Sequence, residues 1–284
     1  LPQYSTLTLN CPVPSSVDNL RLGSGSGDRS FISCSGECWA MNKFIAIHRV
    51  VRPYQSLFNV VRRHSSMVTQ LYYSPSSCGA ASFICAQKAG LIGSKVEASE
   101  VDIQSKKVLS GPATGKDYFA INPKGNVPAI VLDDHTLINE NISSLAWIAD
   151  QNPSAELSPP KSSTRYYEFL SKLSYLASEV HSSCAPIFKP TTPEDVKEFM
   201  RTKIKSKLDF LSKHELSGGN QYLLGDKVTA ADIYFYIILT WMKHLKVDIG
   251  EYPVIKKYFE NVASLEFVKA GHAKMASMSP SHKK

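Results

Sequence analysis

Residues 70–90 read QLYYSPSSCGAASFICAQKAG, and this stretch limits what the chain can fold into more than any other. Leu71, Tyr72 and Tyr73 suit a strand, Pro75 sits among serines in a short loop, and Cys78 stands where a helix over 79–90 begins. Ala81, Ile84, Cys85 and Ala89 recur at helical spacing and predict the face that packs on a sheet. Residues 95–103, around VEASEVDI, read as a second strand. A strand–helix–strand unit of this length requires a right-handed crossover and parallel pairing. The polar, glycine-bearing stretch QSKKVLSGPATGKD then reads as a loop, and 118–121 as a short helix ending at Asn122-Pro123. Two further strands, 127–132 and 136–138, are joined through Asp133-Asp134-His135 as a hairpin. A helix over 142–149 stops before Asn152-Pro153. The element order is βαβ followed by ββα.

Two positions in this half carry chemistry. The first turn of a helix leaves N–H groups unpaired and carries partial positive charge, which favours a thiolate or a bound anion beside Cys78. A cysteine that simply fits a tight loop is the plainer reading. Pro128 opens an apolar strand, KGNVPAI, where it removes a ladder donor and so demands an edge position or a special geometry. A cis Val127–Pro128 bond would present the Val127 N–H and C=O to an extended ligand; a trans proline on an edge strand is the alternative.

Beyond a linker at 154–160 the pattern becomes helical. Tyr166, Phe169, Leu173, Leu176 and Val180 mark a long helix over 162–184, closed by Pro186 and Pro190. Pro193, Glu194 and Asp195 signal the next helix, with Phe199, Ile204, Leu208 and Leu211 expected along one side. The markedly apolar run 229–245, TAADIYFYIILTWMKHL, suits the central helix of a bundle. Thr229 and Asp232 have capping-box spacing and read as a folding device. Tyr252-Pro253 starts another helix, and 265–276 forms a last one. The expected organisation is an α/β part over 67–152 and an all-helical part over 162–280.

The first 66 residues differ from the rest. Residues 1–40 show no sustained period and read as an irregular extension. Residues 41–66 hold Lys43, Arg49, Arg52, Arg62 and Arg63 with no acid, a pattern similar to a mitochondrial presequence. Cytoplasmic or mitochondrial residence is expected. The extension carries seven Lys and Arg against Asp18, Asp28 and Glu37, so +4 of the net +7 lies there. The globular remainder is only mildly basic, which argues against a dedicated nucleic-acid partner. Six scattered cysteines suit no disulfide scaffold, no run reaches the length of a membrane helix, and no His/Cys/Asp cluster suggests a metal.

The phrases LYYSPSSCGAAS, DYFAINPKGNVPAIVLDD and TLINENISSLAWIADQ resemble the glutathione transferases, and among them the bacterial-type beta class. That resemblance implies a thioredoxin-like α/β domain followed by an all-α bundle, with glutathione as co-substrate. It places Cys78 on the class's active cysteine, near the glutathione sulfur. Val127 matches the residue whose backbone pairs with the cysteinyl part of glutathione, and Pro128 the cis proline. Glu140 matches the acid of a Glu-Ser pair at the γ-glutamyl end, with Asn141 in place of the serine. Gly79 likewise replaces a serine, and Lys106 or Lys107, Lys107 being the candidate carried forward, matches a contact to the glycine carboxylate. Read without the resemblance, His181 in YLASEVHSSCAPIF is a helix-end histidine favoured by the dipole. With it, His181 faces the cysteine across the cleft. Trp241, Met242 and His244 line either the hydrophobic substrate side or the bundle core.

The implied activity is conjugation of glutathione to small hydrophobic electrophiles. Thiol–disulfide exchange through a Cys78 mixed disulfide is the rival chemistry, and a non-catalytic, transferase-like binding protein is the rival class. Family members are usually homodimers, which is the expected assembly here.

Overall fold

The computed structural model describes residues 68–280; the irregular extension and the basic segment 41–66 lie outside them. The described chain begins with strand β1 (Thr69–Tyr73) and helix α1 (Gly79–Lys88), followed by β2 (Val96–Asp102) and β3 (Lys107–Val108). After a 3₁₀ turn at Tyr118–Ala120 come β4 (Ala129–Val131), β5 (Leu137–Ile138) and helix α2 (Asn141–Gln151). The five strands form one sheet in the order β3-β2-β1-β4-β5. β1 is central, parallel to β2 in the register Thr69↔Val96 and antiparallel to β4 in the register Leu71↔Ile130. The crossover predicted from residues 70–103 is therefore present. β3 was hidden in the polar loop: two residues pairing with Val101 and Asp102 are too short to show a period.

The helical part contains α3 (Arg165–Tyr175), α4 (Ser182–Phe188), α5 (Glu194–Phe210), α6 (Ala230–Thr240), α7 (Pro253–Ser264) and α8 (Glu266–Met278). A π-helical turn, Leu176–His181, joins α3 to α4 without a break. Such wide turns often mark functional positions. Pro186 does not close this helix as its sequence suggests; it lies inside α4, which runs on to Phe188. His181 is consequently mid-helix and gains nothing from a helix-end dipole.

In α5 the buried positions are Arg201, Ile204, Leu208 and, one turn on, Leu211, while Phe199 is 61% exposed. Steps of three, four and three residues keep 201, 204, 208 and 211 on one stripe; Phe199, five residues before Ile204, falls off it. Arg201 is tolerated inside because Glu194 and Glu198 pair with its guanidinium and its Nε donates to the Leu245 carbonyl.

One continuous core joins the sheet and the bundle, running from Leu71, Phe83 and Ile130 to Phe169, Ile233 and Tyr258. α1 packs against α2, α6 and α8, which explains why Gly79 through Ala86 are all buried. Its small residues permit that crowding, and so does Gly271 of α8, where a Cβ would lie 2.8 Å from Ile84 Cγ1. α6 is buried along its whole first ten residues, as an all-round apolar helix must be. Its start is held by Asp232, whose carboxylate accepts from the backbone N–H groups of Leu223 and Thr229, both at 2.8 Å, and from the Thr229 and Tyr258 hydroxyls. The folding role read from the Thr229–Asp232 spacing is what the structure shows.

Candidate active site

The site is built where α1, α2, α6 and the loop before β4 converge. Cys78 is the N-cap residue of α1 and is 7% exposed. The Val127–Pro128 peptide bond is cis. Cys78 Sγ donates to the Val127 carbonyl oxygen across 3.2 Å, so the two sequence positions with the strongest chemical signal are in contact. The Val127 N–H has no hydrogen-bond partner among the described residues. Val127 is presented by a small scaffold of amides: the Tyr118 hydroxyl and Asn122 Nδ2 both donate to the Asn126 carbonyl, at 2.8 and 2.7 Å.

Burial pushes the Cys78 thiol up to about 12, and the Glu140 charge adds to the rise; the backbone N–H groups of Cys78 and Gly79 pull the other way and lose. The helix terminus does act on the sulfur as its position in the sequence implies, but desolvation of a thiolate outweighs it here. Cys78 is a neutral thiol, a hydrogen-bond donor. Gly79 has its own packing reason. A Cβ there would lie 3.2 Å from Ser77 Oγ and from Tyr73 Cα, so the glycine lets α1 start hard against β1.

Glu140 is the N-cap residue of α2 and forms an ion pair with Lys124 Nζ at 2.5 Å. Its side chain is 60% exposed and thus available to a ligand at the mouth of the site. Asn141, by contrast, turns inward. Its Oδ1 accepts from the Ser82 hydroxyl at 3.1 Å, and its buried Nδ2 has no hydrogen-bond partner of normal geometry. Lys107 is exposed on β3, while neighbouring Lys106 donates to the Gly125 carbonyl at 2.8 Å, beside the Val127 loop.

His181 reaches the site through a residue that the sequence did not single out. Its Nδ1 lies 2.7 Å from the Tyr234 hydroxyl, and the two rings meet edge-on with centroids 5.9 Å apart. Tyr234 is fully buried on α6; burial raises its phenol well above the ordinary value, with the Cys78 and Cys184 sulfurs and Glu140 adding to the rise and the Asn141 amide opposing it. Tyr234 therefore stands between His181 and the Cys78–Asn141 side of the site. Burial lowers His181, leaving a neutral imidazole. Trp241 continues the aromatic wall, its ring 5.0 Å from His181 and 5.8 Å from Phe188. Met242 is buried away from it and His244 is exposed. The signal for Tyr234 lies in TAADIYFY, but Tyr234 and Tyr236 in so apolar a helix both look like core.

A pocket of about 740 Å³ lies at the C-terminal end of α6 around Leu239, Met242, Lys243 and Phe259 and includes none of Cys78, Val127, Glu140, His181 or Tyr234. The chemistry defines the site, not this hollow. Among the described residues no three His, Cys, Asp or Glu side chains converge as metal ligands.

A mixed sheet with a cis proline opposite a helix-start cysteine is thus followed by an all-helical part. Residues 172–266 match the model of the glutathione S-transferase C-terminal domain. Glutathione S-transferase GstA of Escherichia coli O157:H7 is 32% identical over 68% of this chain and 92% of its own length. The chain belongs to the glutathione S-transferase family. Its solved relatives place it beside the bacterial beta class. A sphingomonad glutathione S-transferase, solved in complex with glutathione, is 33% identical, with a TM-score of 0.67 over 74% of this chain and 100% of the other. The beta-class enzyme of Sphingomonas chungbukensis is also 33% identical, with a TM-score of 0.66 over 72% of this chain and 98% of its own.

Proposed function

We propose that this protein conjugates glutathione to small hydrophobic electrophiles, and that the Cys78 thiol acts as a hydrogen-bond donor to the glutathione sulfur. The contact between Cys78 Sγ and the Val127 carbonyl carries this reading, because it sets the thiol beside backbone groups suited to an extended peptide. The free Val127 N–H pairs with the cysteinyl carbonyl of glutathione. Cys78 has a single S–H, so on donating to the glutathione sulfur it gives up the Val127 carbonyl, which then accepts the cysteinyl N–H. Glu140 binds the γ-glutamyl ammonium in competition with Lys124, and the N–H groups at the start of α2 hold the neighbouring carboxylate. Lys106 or Lys107 meets the glycine carboxylate. Since the Asn141 amide turns inward, its backbone N–H is the group offered to the ligand.

The reaction needs a glutathione thiolate. A neutral thiol at Cys78 donates to that thiolate and lowers its proton affinity, whereas a charged Cys78 would repel it. Neutral His181, oriented by Tyr234, accepts the glutathione proton directly or through water. The thiolate then attacks an electrophile lying against Trp241 and Phe188, forming the carbon–sulfur bond as the leaving group departs. The aromatic wall supports an apolar second substrate.

Thiol–disulfide exchange is the second reading, favoured by the position of Cys78 itself. There the Cys78 thiolate would attack a glutathionyl disulfide, releasing the other thiol and forming a Cys78–glutathione bond that a second glutathione resolves. The raised Cys78 ranks this behind conjugation. A homodimer in the cytoplasm or mitochondrion is proposed, the latter on the acid-free basic segment 41–66.

The test is turnover of glutathione with a panel of electrophiles and mixed disulfides, using wild type, Cys78→Ser and His181→Ala. Conjugation that survives in Cys78→Ser while disulfide turnover disappears supports the assignment. Disulfide turnover unchanged in Cys78→Ser would exclude any exchange role for this sulfur.

A further inference from the structure

A second pocket, of about 350 Å³, opens beyond the carboxyl ends of β1 and β2, between the Ser74–Pro75–Ser76 loop and α8. Its wall includes Glu100, His272 and Met275, and none of Cys78, Val127, Glu140, His181 or Tyr234. Glu100 is only 7% exposed, yet neither carboxylate oxygen has a hydrogen bond or ion pair among the described residues, and Oε2 is fully enclosed. Tyr73, its register partner across the parallel pair, has a buried hydroxyl that is also without a partner. Leaving a carboxylate and a phenol unpaired in the same corner of a well-packed sheet is costly.

Among the described residues the surroundings do not supply the missing charge. His272 spends Nε2 on the Tyr236 hydroxyl at 3.1 Å, and burial holds its imidazole neutral. No Lys or Arg nitrogen pairs with Glu100 among the described residues. The rest of the polar lining consists of the hydroxyls of Ser74, Ser76 and the buried Ser279; Ser74 and Ser76 lie 3.4 Å apart and can both accept. An acceptor-rich pocket with one negative charge that no described residue compensates suits a small cation that brings several N–H donors. An anion would be repelled.

We infer that this pocket is a binding site for a small organic cation bearing a primary ammonium or guanidinium group, with Glu100 as its counter-charge. The location, outside the carboxyl ends of adjacent parallel strands, is where open α/β sheets place ligands. The inference is independent of the conjugation chemistry, since the two sites share no residue named in the argument.

The probe is agmatine, which carries both a guanidinium and an ammonium, with succinate as an anionic control. Binding to the full chain is followed by calorimetry and by the shift in melting temperature. Wild type is expected to bind agmatine and to melt higher in its presence, with succinate inert. Glu100→Gln removes the charge at nearly constant shape and should weaken binding at least about tenfold. Ala276→Arg, on the exposed rim of the same pocket, should place a guanidinium near Glu100 and abolish agmatine binding while the fold is kept, as circular dichroism would show. This second variant decides the matter if Glu100→Gln does not fold. The inference is overturned if wild type shows no binding at about 10 mM agmatine, or if both folded variants bind it as wild type does.

Discussion

His181 Nδ1 and the Tyr234 hydroxyl are 2.7 Å apart, the one from a π-helical turn and the other from the buried face of the central helix. The hydrogen bond fixes the imidazole. With His181 in the role proposed above, Tyr234 acts as a positioning residue, and its loss should be felt in turnover rather than in glutathione affinity. Tyr234→Phe is expected to lower kcat about three- to tenfold, the worth of one oriented hydrogen bond, with KM for glutathione little changed. Steady-state kinetics measures the split. An unchanged kcat would remove Tyr234 from the account.

Cys78 should behave as a shielded thiol in the absence of ligand. With its thiolate disfavoured up to about 12, alkylation by iodoacetamide should be slow near neutrality and climb steadily between about pH 7 and about pH 9.5 without a plateau. Mass spectrometry resolves the site, because Cys85 and Cys184 are completely buried and should not react in the folded chain. A plateau below about pH 9 would mean that the helix terminus, not burial, governs the sulfur.

The carboxylate of Asp232 is a structural anchor. Asp232→Ala leaves two buried backbone N–H groups without their acceptor, while the Tyr258 hydroxyl keeps only the backbone carbonyl of residue 232. That should cost roughly 3–6 kcal/mol in urea unfolding. A loss below about 1 kcal/mol would show that water or another group replaces the carboxylate.

His181 and His272 are both held below their ordinary value of 6.5 by burial. Above that value neither state binds these protons, and the neutral folded imidazoles cost nothing. Below it the unfolded chain takes up protons that the folded chain resists, so stability contributed by the neutral forms is lost as pH falls through the folded values. Urea midpoints at about pH 7.5 and about pH 5.5 should show this decline. His181→Asn should make it shallower. A wild-type midpoint that rises on acidification would contradict the assignment.

Much of this was legible in the chain. The spacing around Cys78, the Val127–Pro128 step and the Thr229–Asp232 box each impose a local geometry, and the structure has all three. What stayed hidden depends on neighbours distant in sequence. The two-residue strand β3 exists only because β2 has an open edge. Proline rules suggested a helix ending near Cys184, yet the helix continues through a π turn and carries His181 inward to Tyr234. The charge state of Cys78 follows from burial by α1, α2 and α6 together, which no short motif encodes.

The most direct test of the central claim is the rate of glutathione conjugation to 1-chloro-2,4-dinitrobenzene, followed by absorbance for wild type and Cys78→Ser side by side. The account predicts saturable turnover by wild type and conjugation within about tenfold of it in Cys78→Ser, since a hydroxyl still donates to the glutathione sulfur. A wild-type rate no faster than the uncatalysed reaction would contradict it.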